Sequence, residues 1–313
     1  MSGEDTVWVT GLGLVSPVGD SLDSLFAALE QGTSGVGPVE LFATDGLPPM
    51  LAGEVRGFDA AAYLGAGNLR PLDRTARLAA AAAAKALEAS GWTAERRAET
   101  ELGLVLGTMF GSVHTISEFD QRALNAGPVY AKPMDFANSV INAAAGQTAI
   151  WHDLRGVNST ISGGSASGLQ ALGYAADLVR SGRAPALLAG GAEELCFASM
   201  LGFVRTGRLA GGDGQPARAL PFHPLRNGFA LAEGAALLLL EDADHARRRE
   251  VRPLAVVAGS ANCFDPSRGT DDARAASALV RAARLALDEA GWTAADVDVV
   301  SASANGSVAG DGQ

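Results

Sequence analysis

The sequence predicts an α/β protein made of two related αβ units, the second shorter than the first, and three observations predict it. First, one segment recurs: Ala86-Leu87-Glu88-Ala89-Ser90-Gly91-Trp92-Thr93-Ala94 returns as Ala286-Leu287-Asp288-Glu289-Ala290-Gly291-Trp292-Thr293-Ala294. Second, each copy closes an Ala/Leu-rich helical stretch with a glycine where a helix needs a left-handed residue to stop. Third, each copy lies between two short, continuously apolar runs, the pattern of parallel strands buried on both faces.

In the first unit the flanking strands are expected at Val7-Trp8-Val9-Thr10-Gly11 and Leu102-Gly103-Leu104-Val105-Leu106. In the second they are expected at Leu254-Ala255-Val256-Val257-Ala258 and Val297-Asp298-Val299-Val300. The first unit then continues with a strand near Asn158–Ile161, a helix over about Ser165–Arg180 and a strand at Ala186–Gly190. A Pro/Gly-rich stretch precedes an expected strand pair, Gly228–Ala232 and Ala235–Glu241. The second unit has no counterpart to these later elements, so half of the repeat is expected to be absent. The alanine run Ala79–Ala84 fits a helix lying close against a neighbour.

Composition narrows the function classes. Apolar residues make up 48% and charged residues 19%, the balance of a folded globular chain rather than a disordered one. No apolar run reaches the ~18 residues of a membrane span, and the acidic start Met1-Ser2-Gly3-Glu4-Asp5 is not a secretory leader. The net charge of −11 opposes nucleic acid and anionic membrane surfaces alike. The two cysteines, Cys196 and Cys263, make no disulfide framework and no metal spacing. They point to a reducing, cytoplasmic setting, and no cofactor or metal is expected.

Four stretches carry a resemblance. They are Val9-Thr10-Gly11-Leu12-Gly13-Leu14-Val15-Ser16-Pro17-Val18-Gly19, Ala166-Ser167-Gly168-Leu169-Gln170-Ala171-Leu172, Ala189-Gly190-Gly191-Ala192-Glu193, and Pro221-Phe222-His223-Pro224-Leu225-Arg226-Asn227-Gly228-Phe229-Ala230-Leu231-Ala232-Glu233-Gly234-Ala235. Together they resemble the β-ketoacyl-acyl-carrier-protein synthases of the thiolase superfamily. The resemblance implies a duplicated αβαβα thiolase-like fold with the second repeat truncated at its C-terminus. The implied halves are residues 1–245, with cap insertions, and residues 246–313. It also implies a chemistry, the joining of an acyl chain to a malonyl unit, that uses a cysteine thiolate at a helix start, two histidines and a lysine.

By that resemblance Ser165 occupies the nucleophile position and Ser303 the first histidine position, while the lysine and second histidine find no counterpart. A serine hydroxyl is a weak nucleophile without a base beside it, and a helix terminus contributes only about 0.3–2 kcal/mol toward its ionisation. No catalytic residue is therefore expected. Of the four histidines, His114, His152, His223 and His245, none falls in a family active-site motif, and all are read as surface or packing residues. Cys196 is likewise read as packing, and Arg247–Arg249 as a solvated helix end.

Within the family this pattern is closest to the chain-length factors of type II polyketide synthases, although serine at 165 departs from their usual glutamine. The expectation is a non-catalytic subunit that forms a heterodimer with an active ketosynthase and shapes the acyl tunnel. Acyl carrier protein, bearing a phosphopantetheine-bound chain, would be met mainly through that partner. Phe110, Met134 and Phe136 are the expected tunnel residues, with plain core packing as the competing reading. The alternative function is a Ser165-dependent acyltransferase or malonyl decarboxylase that primes its partner.

Overall fold

In the computed structural model, which describes residues 6–212, 214–266 and 272–312, the strands are β1 (Val7–Val15), β2 (Val36–Pro38), β3 (Leu51–Gly53), β4 (Gly103–Gly107), β5 (Asn158–Ile161), β6 (Ala186–Glu193), β7 (Leu231–Ala232), β8 (Gly234–Asp242) and β9 (Ala255–Val257). Six of them form one sheet in the order β5-β4-β6-β8-β1-β9, and β2-β3-β7 form a smaller one. β4 runs parallel to β5 and β6, whereas β8 is antiparallel to both β6 and β1, and β9 is antiparallel to β1. The sheet is thus mixed, a thiolase-like α/β arrangement rather than the uniformly parallel one that the apolar strands suggested.

Alternation along the strands fills a core on each face. Leu104, Leu106, Leu188, Leu237 and Leu239 point to one side, where they meet helices Arg74–Ala89 and Ala143–His152. Val105, Leu187, Ala189 and Leu240 point to the other, against helix Ser167–Arg180. Burial on both faces explains why these strands read as unbroken apolar runs. Ala79–Ala83 are fully buried, and strand glycines let the helix backbone approach β1. A Cβ on Gly13 would lie 2.0 Å from the Ala82 carbonyl oxygen.

The duplication is visible in the helix ends. Gly91 and Gly291 have φ of +67° and +70°, and Trp92 and Trp292 return their N–H to Leu87 and Leu287 at 3.0 and 2.9 Å. Gly11 and Gly259 each sit where a Cβ would strike a helix carbonyl, that of Ala86 and of Ala286. The environments differ sharply, because Trp92 is 2% exposed and Trp292 51%.

Two expectations are corrected. Residues 297–300 form no strand, and Val299 and Val300 are exposed. Their first-unit counterpart, β4, is held between β5 and β6, and no described residues offer 297–300 such neighbours. The second correction concerns the expected strand pair. β7 joins β3 in the small sheet while β8 enters the large one, and Gly234, at φ +156°, redirects the chain between them.

Candidate functional site

Parallel β4, β5 and β6 end at the same edge, where αβ sheets characteristically present their sites. From β5 the chain passes through an elbow into helix Ser167–Arg180. Gly164, at φ +80°, supplies the left-handed turn. The Ser167 hydroxyl closes the elbow, donating to the Gly164 carbonyl at 2.6 Å and accepting from the Gly163 N–H at 2.9 Å. Gly107 at the end of β4 lets the helix start settle on the sheet. Ser165 stands on this elbow, exposed, at the wall of a cavity of about 840 Å³.

Much of the cavity wall is apolar, with Leu12, Leu14, Leu25, Leu195 and Leu231 contributing. Phe203 meets Phe110 edge-on at 5.9 Å and Phe229 at 5.6 Å, forming an aromatic side. Glu193 and Glu194 follow at the end of β6. Glu193 accepts from the Thr108 hydroxyl at 3.0 Å and from the N–H groups of Met109 and Phe110 at 2.5 and 3.2 Å, so it pins the loop that carries Phe110. Burial nevertheless pushes its carboxyl above the usual range. Glu194 accepts from the His114 N–H at 3.0 Å. Burial, reinforced by the nearby charge of Asp73, pushes its carboxyl up to about 8.

That shift has a consequence for stability. Between 4.5 and about 8 the folded chain keeps a proton on Glu194 that the unfolded chain has released. The contribution is therefore complete below 4.5 and lost as pH rises through 8. His152, which burial pushes from 6.5 down to about 4, acts in the opposite sense, with a contribution present above 6.5 and lost as pH falls toward 4. Above 6.5 Glu194 acts without that opposition, at up to ~1.4 kcal/mol per pH unit. Glu194→Gln is expected to flatten the fall in stability between pH 6.5 and 8, as measured by urea midpoints. Equal slopes in both proteins would refute the assignment.

None of the four histidine rings lines the cavity. The His152 Nε2 donates to the Ala80 carbonyl at 2.8 Å, and the His245 Nδ1 contacts Glu241 at 2.6 Å. The His223 Nδ1 accepts from the Leu225 N–H, and His114 is exposed at the start of helix Val113–Ala126. Ser303 is exposed and does not line the cavity, although Asn305, two residues on, does. Phe110 lines it. Met134 and Phe136, on the short helix Pro133–Phe136, are 58% and 66% exposed and do not. Cys196 is buried. The arginine cluster is only partly solvated. Arg247 stacks over Trp8, while Arg249, its side chain 9% exposed, is paired with Glu241.

Sequence reasoning passed over Glu193 as a site residue and missed Glu194, Phe203, Arg208 and Asn305. The carboxylate pair closing an apolar strand was the one available signal. The rest come together only by folding.

Comparison with known proteins matches residues 4–246 to the family model of the beta-ketoacyl synthase N-terminal domain. The chain belongs to the beta-ketoacyl synthase family. Among curated relatives, this ketoacyl-synthase chain is 32% identical over 307 residues to 3-oxoacyl-[acyl-carrier-protein] synthase 2 of Vibrio cholerae, covering 97% of this chain and 74% of that one. It is 34% identical over 308 residues to the tetracenomycin polyketide synthase ketoacyl synthase beta subunit of Streptomyces glaucescens, covering 98% and 75%. The solved structure of the ishigamide ketosynthase/chain length factor superimposes with a TM-score of 0.89 at 29% identity, covering 98% and 75%. A beta-ketoacyl synthase from Burkholderia phymatum gives 0.87 at 28%, with the same coverage.

Proposed function

We propose that this ketoacyl-synthase chain is a non-catalytic subunit of the chain-length-factor type. It pairs with an active ketosynthase, and its cavity limits the acyl chain that the partner builds. One observation carries the reading: Ser165, which the sequence resemblance puts at the nucleophile position, lines the cavity wall, and the four histidine rings lie elsewhere. A serine without a base is a poor nucleophile. The names of two relatives, a beta subunit and a ketosynthase/chain length factor, support the same reading.

Pairing has support of its own. β5 is an edge strand, and Leu124, Val129, Tyr130, Met134, Phe136 and Ile141 expose apolar surface. Unpaired edges and large apolar patches are hazards for a chain standing alone. A large, apolar interface of the permanent class answers both. Met134 and Phe136 belong to that surface and reach the tunnel, on this reading, only within the complex.

Co-expression with a ketosynthase that carries its cysteine and both histidines is expected to yield a one-to-one complex. The chain alone is expected to make no carbon–carbon bond from malonyl and acyl carriers. Condensation by the isolated chain would overturn the proposal. In the complex, Phe110→Ala is expected to shift products toward longer chains, read by mass spectrometry. An unchanged distribution removes Phe110 as the limit.

A further inference from the structure

Almost every polar group on the cavity wall already has a partner. The Ser16 hydroxyl donates to Gly19, Ser167 to Gly164 and Ser199 to Cys196, each to a backbone carbonyl. Thr108 is bound to Glu193, and both glutamates accept from backbone N–H groups. The Asn305 Oδ1 accepts from the N–H and hydroxyl of Ser307. Among the described residues this leaves two lining side chains with no hydrogen bond or ion pair, Ser165 and Arg208. Ser165 is neutral. Arg208 is a permanent cation that lines a largely apolar cavity with no counter-ion among the described residues, in a chain of net charge −11.

Its position is built. The preceding residue, Gly207, ends helix Phe197–Thr206 in a left-handed turn. The Arg208 carbonyl accepts from the Phe229 N–H at 3.3 Å, and the Phe229 carbonyl accepts from the Ala210 N–H at 3.0 Å. The Gly228 N–H donates to Gly306, which brings Asn305 alongside. The backbone is thus clamped between two wall segments while the guanidinium stays uncommitted and exposed. A planar guanidinium offers paired donors that match carboxylate and phosphate oxygens.

We infer that Arg208 anchors the anionic group of an amphiphilic ligand, a carboxylate or phosphate monoester, whose apolar part fills the cavity. The inference deepens, and rests on, the acyl-cavity reading above. The anion has two sources with the same chemistry, namely a carboxylate on the chain itself and the phosphate of the pantetheine arm that delivers it.

Calorimetric titration of the full chain tests this with two matched pairs, decanoate against decanol and 4′-phosphopantetheine against pantetheine. In at least one pair the anionic member is expected to bind about fivefold tighter, the scale of an exposed charge pair. Arg208→Gln is expected to abolish that preference while leaving the neutral member's affinity unchanged, and Arg208→Lys to keep part of it. A preference in the first pair assigns the carboxylate, and in the second the arm. If decanol binds but neither pair shows an Arg208-dependent preference, the anchor is overturned and the acyl cavity stands. If neither decanol nor decanoate binds and the second pair shows no preference, both fail. Circular dichroism of each variant confirms that lost preference is not lost fold.

Discussion

Alanine in place of Gly107 is expected to lower the unfolding free energy by about 3 kcal/mol, at the upper end of ordinary overpacking costs. The added Cβ would lie 2.3 Å from the Ser167 carbonyl oxygen and 2.5 Å from the Gly168 nitrogen. All three nearest atoms are backbone, so no side chain can swing aside. Relief requires the start of helix Ser167–Arg180 to lift from β4, and the elbow that carries Ser165 moves with it. Urea denaturation measures the loss. Gly146 offers a matched control, since it lies within helix Ala143–His152 and an added Cβ there would meet nothing within 4 Å. Gly146→Ala is expected to stabilise by about 0.5–1 kcal/mol through helix propensity alone. Should Gly107→Ala prove as benign as Gly146→Ala, the close seating of helix on sheet described above is wrong.

Removal of the Glu241 carboxylate is expected to cost about 3–5 kcal/mol, the range for breaking a buried ion pair at one partner. The Glu241 side chain is fully buried on β8 and receives three groups. The Thr10 hydroxyl donates at 2.8 Å, the His245 Nδ1 lies at 2.6 Å, and the Arg249 Nη1 reaches both oxygens at 2.7 Å. Arg249 also donates to the Ser90 carbonyl and lies over the Trp92 ring, which His245 stacks against. Glu241 thereby joins β1, β8, the helix that follows β8 and the end of helix Arg74–Ala89. In Glu241→Ala the guanidinium of Arg249, only 9% exposed, would be left without its charge partner. Because most of the cost is that stranded cation, Glu241→Ala/Arg249→Met is expected to recover part of the loss. A double variant no more stable than Glu241→Ala would argue against this explanation.

Different parts of this protein became legible at different stages. The glycine stops at 91 and 291, the alanine helix, the presence of β4 and β6 and the place of Ser165 at a helix start are local matters. They depend on backbone conformation and on the periodicity of burial within a few residues, both of which the chain displays directly. Residues 297–300, three valines and Asp298, were expected as the counterpart of β4, yet form no strand. A strand is made by its neighbours, and periodicity says nothing about whether neighbours exist. β7 and β8 read as partners because they are adjacent in sequence, and a single left-handed glycine sends them to different sheets.

By itself, then, the sequence determined the α/β class, the duplication, the family and the serines at positions 165 and 303. Only the tertiary structure decided which side chains share the cavity. It joined Glu193 and Glu194 from β6, Phe110 from the loop after β4, Arg208 from a helix end and Asn305 from the second unit, and it left Met134 and Phe136 outside. The physical reason is that a cavity wall is assembled from segments far apart in the chain. Their convergence is set by long-range pairing and close packing, which no local pattern of residues records.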